Sequence, residues 1–545
     1  MSRAVLLALL AAAAPPLVSA QPCTPGDAVQ VEGLGSPADD LLRVGELLGA
    51  VEPAPSLLRR AGVRAAALCA EGPGLPWALA PRAPSGGGIE AFTLPVRLET
   101  TLNTGYPYGG NDGLLWSGKG VSTELSLGAG IRWGPVTAVL APELAWQQND
   151  VFTSRTSGLA GDAAWANAFY PGAIDLPRRF GAGPFTRTGP GQSFVRVDLG
   201  GFAAGLSTEN LWSGPGVRHS IALSSTAPGF PHLFAGTGRP VNTWIGRVEA
   251  VSLWGRLDRT RYVAGERSPA LFTALVLGWE PRFAPGLSLG LTRVFLQPWH
   301  GRSFGDYFPY VQSFFKSDLP EGDSAFPGDN PDDNQLASVS ARWAFPSTGF
   351  EAYVEWARED HASTFRGFLK EPEYSSAVLF GLQKVQQVGG RVVRVLAEGT
   401  FLQETRAPFN WTAPVYYLHG NGLDYTNQGQ LLGAWIGPGS DAQTVAVDVF
   451  GARGRVGAFG ERIRRNVKWY IDNEAALDAR VDLEFVGGVR GVAFLRDVEL
   501  GWEASVGYRY YPDFLERKEP NWRLALQLAF PGAGARRGSG PTAPR

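Results

Sequence analysis

The feature that most restricts this chain is a two-residue rhythm of apolar and charged side chains. From Leu477 to Phe485 the odd positions are Leu477, Ala479, Val481, Leu483 and Phe485, and the even ones are Asp478, Arg480, Asp482 and Glu484. Successive side chains of a strand point to opposite faces, so a strand here has one apolar and one charged face. Trp502, Ala504, Val506, Tyr508 and Tyr510 repeat the rhythm against Glu503, Ser505, Gly507, Arg509 and Tyr511. Leu524, Leu526, Leu528 and Phe530 repeat it again against Arg523, Ala525, Gln527 and Ala529. One such strand would also suit a soluble sandwich. Repetition along a long, aromatic-rich chain is the pattern of a transmembrane β-barrel, apolar toward lipid and polar toward the lumen. It predicts Leu477, Val481, Leu483, Phe485, Leu524, Leu526 and Leu528 on lipid, and Arg480, Asp482, Glu484, Arg523 and Gln527 in the lumen.

Composition agrees. The 545 residues include 70 Gly, 17 Trp, 15 Tyr and 30 Phe, which suits turns and interfacial aromatic girdles. A mean hydropathy of -0.07 follows if half of each strand faces a polar lumen. A net charge of -2 argues against a general nucleic-acid binder. At the start, Arg3, the apolar run 5–14 and the small residues Val18-Ser19-Ala20 read as a secretory signal peptide over 1–20. That run is too short to span a bilayer as a helix, and no later run reaches the necessary ~20 apolar residues. Export to an oxidising space lets Cys23 and Cys69, the two cysteines, pair as a disulfide; two free thiols are the alternative.

After the leader the period changes. Leu41, Leu42, Val44, Leu47, Leu48 and Val51 recur at helical spacing, with Ser36 and Asp39 near the helix start, and a second short helix is expected over 56–68. Pro81 to Gly87 reads as a linker. Residues 21–88 are therefore a helical segment, either a small separate domain or a plug in the barrel's periplasmic mouth. The barrel is expected over 89–530, with a disordered Gly/Pro/Arg-rich tail at 531–545. Besides the three strands above, candidates are 92–103, 121–133, 136–148, 195–199, 203–211, 244–257, 271–279, 287–295, 336–345, 350–358, 377–385, 392–402, 415–418, 431–436, 443–450 and 456–464. The total is roughly 16 to 20, in the range of large outer-membrane barrels. Loops 151–192, 300–333 and 511–521 read as external, and turns at Gly134, Gly200, Pro285, Pro346 and Gly389 as periplasmic. Between Arg406 and Asp441, strand directions counted from the two ends disagree. That stretch, or 217–243, holds one strand too many or too few.

Few residues suggest chemistry. His219, His232, His300, His361 and His419 are scattered without metal-ligand spacing, and no G-x-S-x-G elbow is present, so neither a metal, a cofactor nor an enzyme is expected. The acidic run 321–334 lacks the alternating ligands and closing Glu of a calcium loop and reads as solvated. Segment 207–234 joins Trp212 to amides, a carboxylate and Arg218, the mixture that sugar recognition requires; equally, Trp212 serves as an interfacial anchor and the Pro/Gly residues shape a loop.

Seven stretches carry a family resemblance: N-T-G-Y-P-Y-G-G-N-D-G-L-L-W-S-G-K-G (103–120), S-T-E-N-L-W-S-G-P-G-V-R-H-S (207–220), A-P-G-F-P-H-L (227–233), D-N-Q-L-A-S-V-S-A-R-W-A-F-P (333–346), A-Y-V-E-W-A-R-E-D-H (352–361), I-G-P-G-S-D-A-Q (436–443) and F-G-E-R-I-R-R-N (459–466). In this order, across about 92–530, the chain resembles the Wzi family of capsule assembly proteins. The resemblance implies an outer-membrane barrel of about 18 strands with a helical periplasmic plug, acting as a surface lectin that helps attach capsular polysaccharide. The Cys23/Cys69 pair and the C-terminal tail depart from the pattern. The reading that follows is a monomeric, non-enzymatic polysaccharide binder in lipid; the alternative is a diffusion channel for sugars or small solutes. Candidate sugar contacts in the first external loop are Tyr106, Tyr108, Asn111, Asp112 and Trp116, and in the second Asn210, Trp212 and Arg218, with rings stacking on sugar and Arg218 available to a uronate.

Overall fold

The alternation is realised as a closed wall. This computed structural model describes residues 34–50, 58–60, 88–300, 304–311, 333–359, 364–402, 415–419, 422–495 and 498–530, with the backbone at 29–30 and 64–65. Twenty-three β-segments form one closed antiparallel ladder. Five wall strands are interrupted and contribute two segments each, so eighteen strands circle the lumen among the described residues. They are β1 (Ile89–Thr93 and Val96–Asn103), β2 (Gly120–Ser126 and Ala129–Trp133), β3 (Val136–Leu140 and Glu143–Gln147), β4 (Phe185–Gly189 and Phe194–Leu199), β5 (Phe202–Ser207) and β6 (His232–Thr237 and Val241–Thr243). Then follow β7 (Gly246–Leu257), β8 (Ala270–Pro281), β9 (Leu287–Pro298), β10 (Asn334–Phe345), β11 (Phe350–Glu359) and β12 (Ser376–Val388). The last six are β13 (Arg391–Phe401), β14 (Asp441–Gly451), β15 (Gly454–Arg464), β16 (Leu483–Leu495), β17 (Val498–Tyr510) and β18 (Lys518–Phe530). β18 closes on β1, from Arg523 opposite Asn103 to Phe530 opposite Val96.

Tight turns gather at one end of the wall and long segments at the other, so the tight-turn end is periplasmic and the long-loop end external. Gly389 and Gly390, at φ 55° and 76°, turn β12 into β13 in two residues, a left-handed pair that matches strand twist and suits glycine. Exposure alternates along the strands. On β14, Val445 and Val447 are exposed while Thr444, Ala446 and Asp448 are buried; on β18, Leu524 and Leu526 are exposed and Arg523 is buried.

The lumen is filled. Segments 104–119, 208–231 and 415–419 with 422–440 fold inward and share one apolar core, in which Tyr106, Leu211, Ile221, Tyr417, Tyr425 and Trp435 pack against wall residues such as Leu253, Phe272 and Leu379. Polar backbone inside this core is satisfied locally: the Tyr417 hydroxyl donates to the Ile221 carbonyl at 2.6 Å, and the Tyr425 hydroxyl to that of Ala222 at 2.7 Å. Below them lies helix α1 (Pro37–Leu47). Its start is set by Pro37 and by Ser36, whose Oγ accepts the Asp39 amide at 3.2 Å. Val44 and Leu47 pack on Ala344, Val385, Val392 and Phe450 at the tight-turn ends of β10, β12, β13 and β14. Charges hold its other side: Arg43 pairs with Glu351 at 2.6 Å, Glu46 with Arg342 at 2.6 Å, and Asp40 with both Arg394 and Arg455. Burial would raise the Asp40 carboxyl, but the Arg394 and Arg455 guanidiniums outweigh it and hold it well below the usual range.

Several expectations are corrected. The expected second helix at 56–68 is not formed: Leu58–Arg60 is a strand paired with Leu211–Ser213, and Arg64–Ala65 pairs with Val29–Gln30. Leu477 to Asp482 is not wall. Helix α3 (Val467–Leu477) ends where Asp478 and Ala479 take positive φ, and Leu477 is buried against Tyr470 and Phe514 instead of facing lipid. Charged and apolar residues alternate there by coincidence, because a helix end and a turn can also sort them by exposure. From Leu483 the expected faces hold, with Phe485 exposed and Glu484 buried. Segments 415–418 and 431–436 are luminal core and not wall strands, with only Leu431 in β-pairing, opposite Thr426 in a small hairpin; packing inside a filled lumen selects the same apolar residues. Two pieces were absent from the expected strands: Phe185–Gly189, within the expected loop 151–192, and all of β6, within 217–243. The missing β6 accounts for the direction conflict. The expected strand 203–211 leaves the wall at Ser207, and β18 begins at Lys518, inside the expected loop 511–521. The leader, Cys23 and Cys69, the linker 81–87, most of the acidic run and the tail lie outside the described residues.

Candidate functional site

The inward segments are held by carboxylates that the alternation of the wall strands aims into the lumen. Glu398 on β13 accepts the backbone amides of Val217 at 2.7 Å, Arg218 at 3.0 Å and His219 at 2.9 Å, and the Tyr353 hydroxyl at 2.7 Å. The His219 ring lies 3.3 Å from the same carboxylate and stacks on Trp435 at 5.6 Å. On β15, Glu461 takes Arg218 Nε at 3.1 Å, the Tyr108 hydroxyl at 2.7 Å and Thr444 Oγ1 at 2.8 Å. Glu355 on β11 accepts from Ile221 N at 3.3 Å and Ser338 Oγ at 2.8 Å. A buried carboxylate is tolerated only with this many donors, and here the donors are the loop to be positioned. Five of the quoted stretches thus meet at one place: 207–220 supplies the amides, 103–120 Tyr108, 352–361 Tyr353 and Glu355, 459–466 Glu461 and 333–346 Ser338.

This geometry relocates the eight candidate sugar contacts. They do not stand on the outer surface, because the loops carrying them turn inward. Tyr106 is buried with the Arg509 guanidinium 5.9 Å from its ring centre, and Tyr108 is bound to Glu461. Asn111 donates to the Arg218 carbonyl at 3.0 Å, and Asn210 to that of Ala227 at 2.8 Å. Trp116 packs edge-on to Phe180 at 5.3 Å. Trp212 is buried, covered at 4.9 Å by Arg59, which also pairs with Asp39 of α1 at 3.2 Å and donates to the Gly216 carbonyl. Six of the eight (Tyr108, Asn111, Asp112, Asn210, Trp212 and Arg218) line one luminal cavity of ≈ 520 Å³; Tyr106 and Trp116 do not. Asp40, Arg43, Arg394, Arg455 and Arg490 also line it. Burial pushes the Asp112 carboxyl up, and Arg523 and Arg218 offset this only in part. The cavity lies between α1 and the inward segments.

The outer mouth is built from residues that sequence reading did not select. Trp469 of α3 stacks on Phe514 at 5.1 Å, meets Phe169 at 4.9 Å and lies under the Arg155 guanidinium at 5.0 Å. Next to it, Arg178 donates to Ser154 Oγ at 2.8 Å and covers the Trp165 ring at 5.1 Å. Both Trp rings are half-buried, and among the described residues neither Arg155 nor Arg178 has a carboxylate at ion-pair distance. The ring faces are already covered by these neighbours, so the groups offered at the mouth are the guanidiniums, which can donate to sugar hydroxyls or carboxylates. Their only sequence signal was Trp and Arg in long polar loops, which is weak.

Comparison with known proteins bears on this arrangement. Residues 113–486 match the family described as capsule assembly protein Wzi. No curated protein matches the chain significantly. Among solved structures, the Escherichia coli outer-membrane protein Wzi, described as a carbohydrate-binding β-barrel involved in group 1 capsule assembly, superposes with a TM-score of 0.52 at 13% identity, over 80% of this chain and 84% of that one. Pseudomonas aeruginosa OprD gives 0.40 at 9% identity, over 83% and 98%, and Acinetobacter baumannii OccAB2 gives 0.39 at 10%, over 80% and 97%.

Proposed function

Because the chain belongs to the Wzi family of capsule assembly proteins, we propose that it binds a surface polysaccharide at the outer mouth of its barrel and helps hold that glycan on the cell. It is an outer-membrane β-barrel, and the solved Escherichia coli relative is described as carbohydrate-binding. The observation that carries the reading is the filled lumen. Three inward segments share one core across the barrel; Glu355, Glu398 and Glu461 clamp the first two and Glu359 accepts the Tyr417 amide of the third, which disfavours a diffusion channel and leaves the mouth as the surface for a large ligand. In this reading Arg155 and Arg178, seated on Trp469 and Trp165, meet the glycan. Tyr106, Tyr108, Asn111, Asp112, Trp116, Asn210, Trp212 and Arg218 hold the mouth from beneath. Residues 21–88 form a periplasmic plug around α1, and the protein acts by binding, without catalysis.

The test is binding of purified protein to its host's own surface polysaccharide. Arg155→Ala and Arg178→Ala should each weaken binding by about 1–2 kcal/mol, the range of a good interface contact, with heat-modifiable gel mobility unchanged. If the parent binds and neither variant is weakened, the glycan site lies elsewhere. If the parent does not bind, the function itself is wrong.

A further inference from the structure

The outside of the wall is not uniformly apolar. Near the external end, the register puts Trp254 opposite Thr273, Thr273 opposite Phe295, Phe295 opposite Gln335, and both Arg293 and Arg358 opposite Ala337. These positions lie on the face away from luminal Leu253, Phe272, Val294 and Leu336, so two arginines and a glutamine point outward. Arginine on the lipid face is unfavourable unless it lies near the interface or is covered.

Two external segments cover it by folding down over the outside of the barrel. Along 304–311, the Tyr307 carbonyl accepts Trp254 Nε1 at 2.7 Å, the Tyr310 carbonyl accepts Arg293 at 3.0 Å, and the Tyr310 hydroxyl meets Ser252 Oγ at 3.3 Å. Helix α2 (Phe365–Lys370) sets Phe368 against outward Trp356 at 6.2 Å and under the Arg358 guanidinium at 5.6 Å. Gln335 and Arg358 are buried as a result.

The cover turns apolar groups outward. Phe304 is 82% exposed, Phe365 58% and Leu369 63%; the helix reaches the lipid-facing wall through Phe368 on Trp356, which lies opposite exposed Val339, and Leu291 and Val354 are exposed on the same wall. Arg366 and Lys370 stand exposed beside them, with no ion pair among the described residues. A purely aqueous surface gains nothing from these rings. A leaflet boundary does: rings enter the acyl–headgroup border while cations reach the phosphates.

We propose that segments 304–311 and 365–370, folded onto the outside of the barrel, form a lateral seat for an anionic lipid of the surrounding leaflet. The contact of helix α2 with the lipid-facing wall selects a lipid as occupant, and the two adjacent cations select an acidic headgroup.

Full-length protein in vesicles of phosphatidylcholine, with or without phosphatidylglycerol, tests this with photoactivatable lipids of matching headgroup and crosslinks mapped by mass spectrometry. The seat predicts crosslinks concentrated on 304–310 and 365–370 with the acidic probe, falling about fivefold per charge in Arg366→Gln and Lys370→Gln. Heat-modifiable mobility reports the fold of each variant, and both side chains are exposed. Equal marking by acidic and neutral probes overturns the proposal, as do crosslinks confined to wall strands or replaced by links between two copies of the chain.

Discussion

Glu398→Ala tests the clamp that fills the lumen. The Glu398 side chain is fully buried and its carboxylate accepts three consecutive backbone amides, from Val217, Arg218 and His219, together with the Tyr353 hydroxyl. Hydrogen bonds to a charged group contribute about 1.5–3 kcal/mol each, but they share one acceptor and do not add. Removing a buried charge that its partners enclose costs about 3–5 kcal/mol as a unit. The wall ladder beside it remains: β13 pairs with β12 and β14 through ten or more rungs on each side. The loss therefore falls on the inward segment, as local unfolding of 208–223 within a standing barrel. Hydrogen exchange of peptides spanning 211–223 should accelerate by roughly two to three orders of magnitude, since each 1.4 kcal/mol is tenfold. Glu398→Gln keeps one acceptor oxygen and should fall between. Unchanged exchange at 211–223 with correct heat-modifiable mobility would refute the idea that this carboxylate positions the loop. Collapse of the whole barrel would refute its local character.

Other outcomes follow from the same geometry. Leu526→Arg, on the lipid face, should destabilise the barrel by about 2–4 kcal/mol near midplane, and Gln527→Arg, in the lumen, much less; equal costs in urea-dependent folding into vesicles would contradict the register. Asp40 has a folded value far below its ordinary 3.8, so its contribution to α1 docking is complete above that value and is lost as pH falls through the lower one. Protease access to 37–47 should rise on strong acidification, and Asp40→Asn should raise it already at neutral pH. If Cys23 and Cys69 are bridged, thiol labelling of the untreated mature protein finds no free thiol, and reduction removes about 4 kcal/mol from the enclosed segment.

Much of the wall was legible because lipid outside and polar contacts inside sort side chains with a period of two, as at Val445, Val447 and Asp448. Ser36 likewise announced α1 by a local cap. What escaped reading depends on distant partners. Tyr416, Tyr417 and Leu432 are apolar because a filled lumen surrounds them, and in isolation they resemble strand residues. His232–Thr237 was hidden by flanking glycines and prolines that shape its ends and not its pairing with β5 and β7. At the site, six of the eight residues picked from the sequence converge on one luminal cavity, and not on the outer surface where they were expected. The inward turn is set by Glu398, far along the chain from Val217 to His219, and nothing near residue 217 encodes that contact.

The role proposed for this barrel is to hold polysaccharide at the cell surface. Cells lacking the protein, compared with the same cells carrying it, test that claim by the fraction of surface polysaccharide that stays cell-bound after washing. Without the protein the glycan should still be made but be shed into the medium, and wild-type protein should restore retention while Arg155→Ala/Arg178→Ala restores it poorly. Equal retention with and without the protein would contradict it.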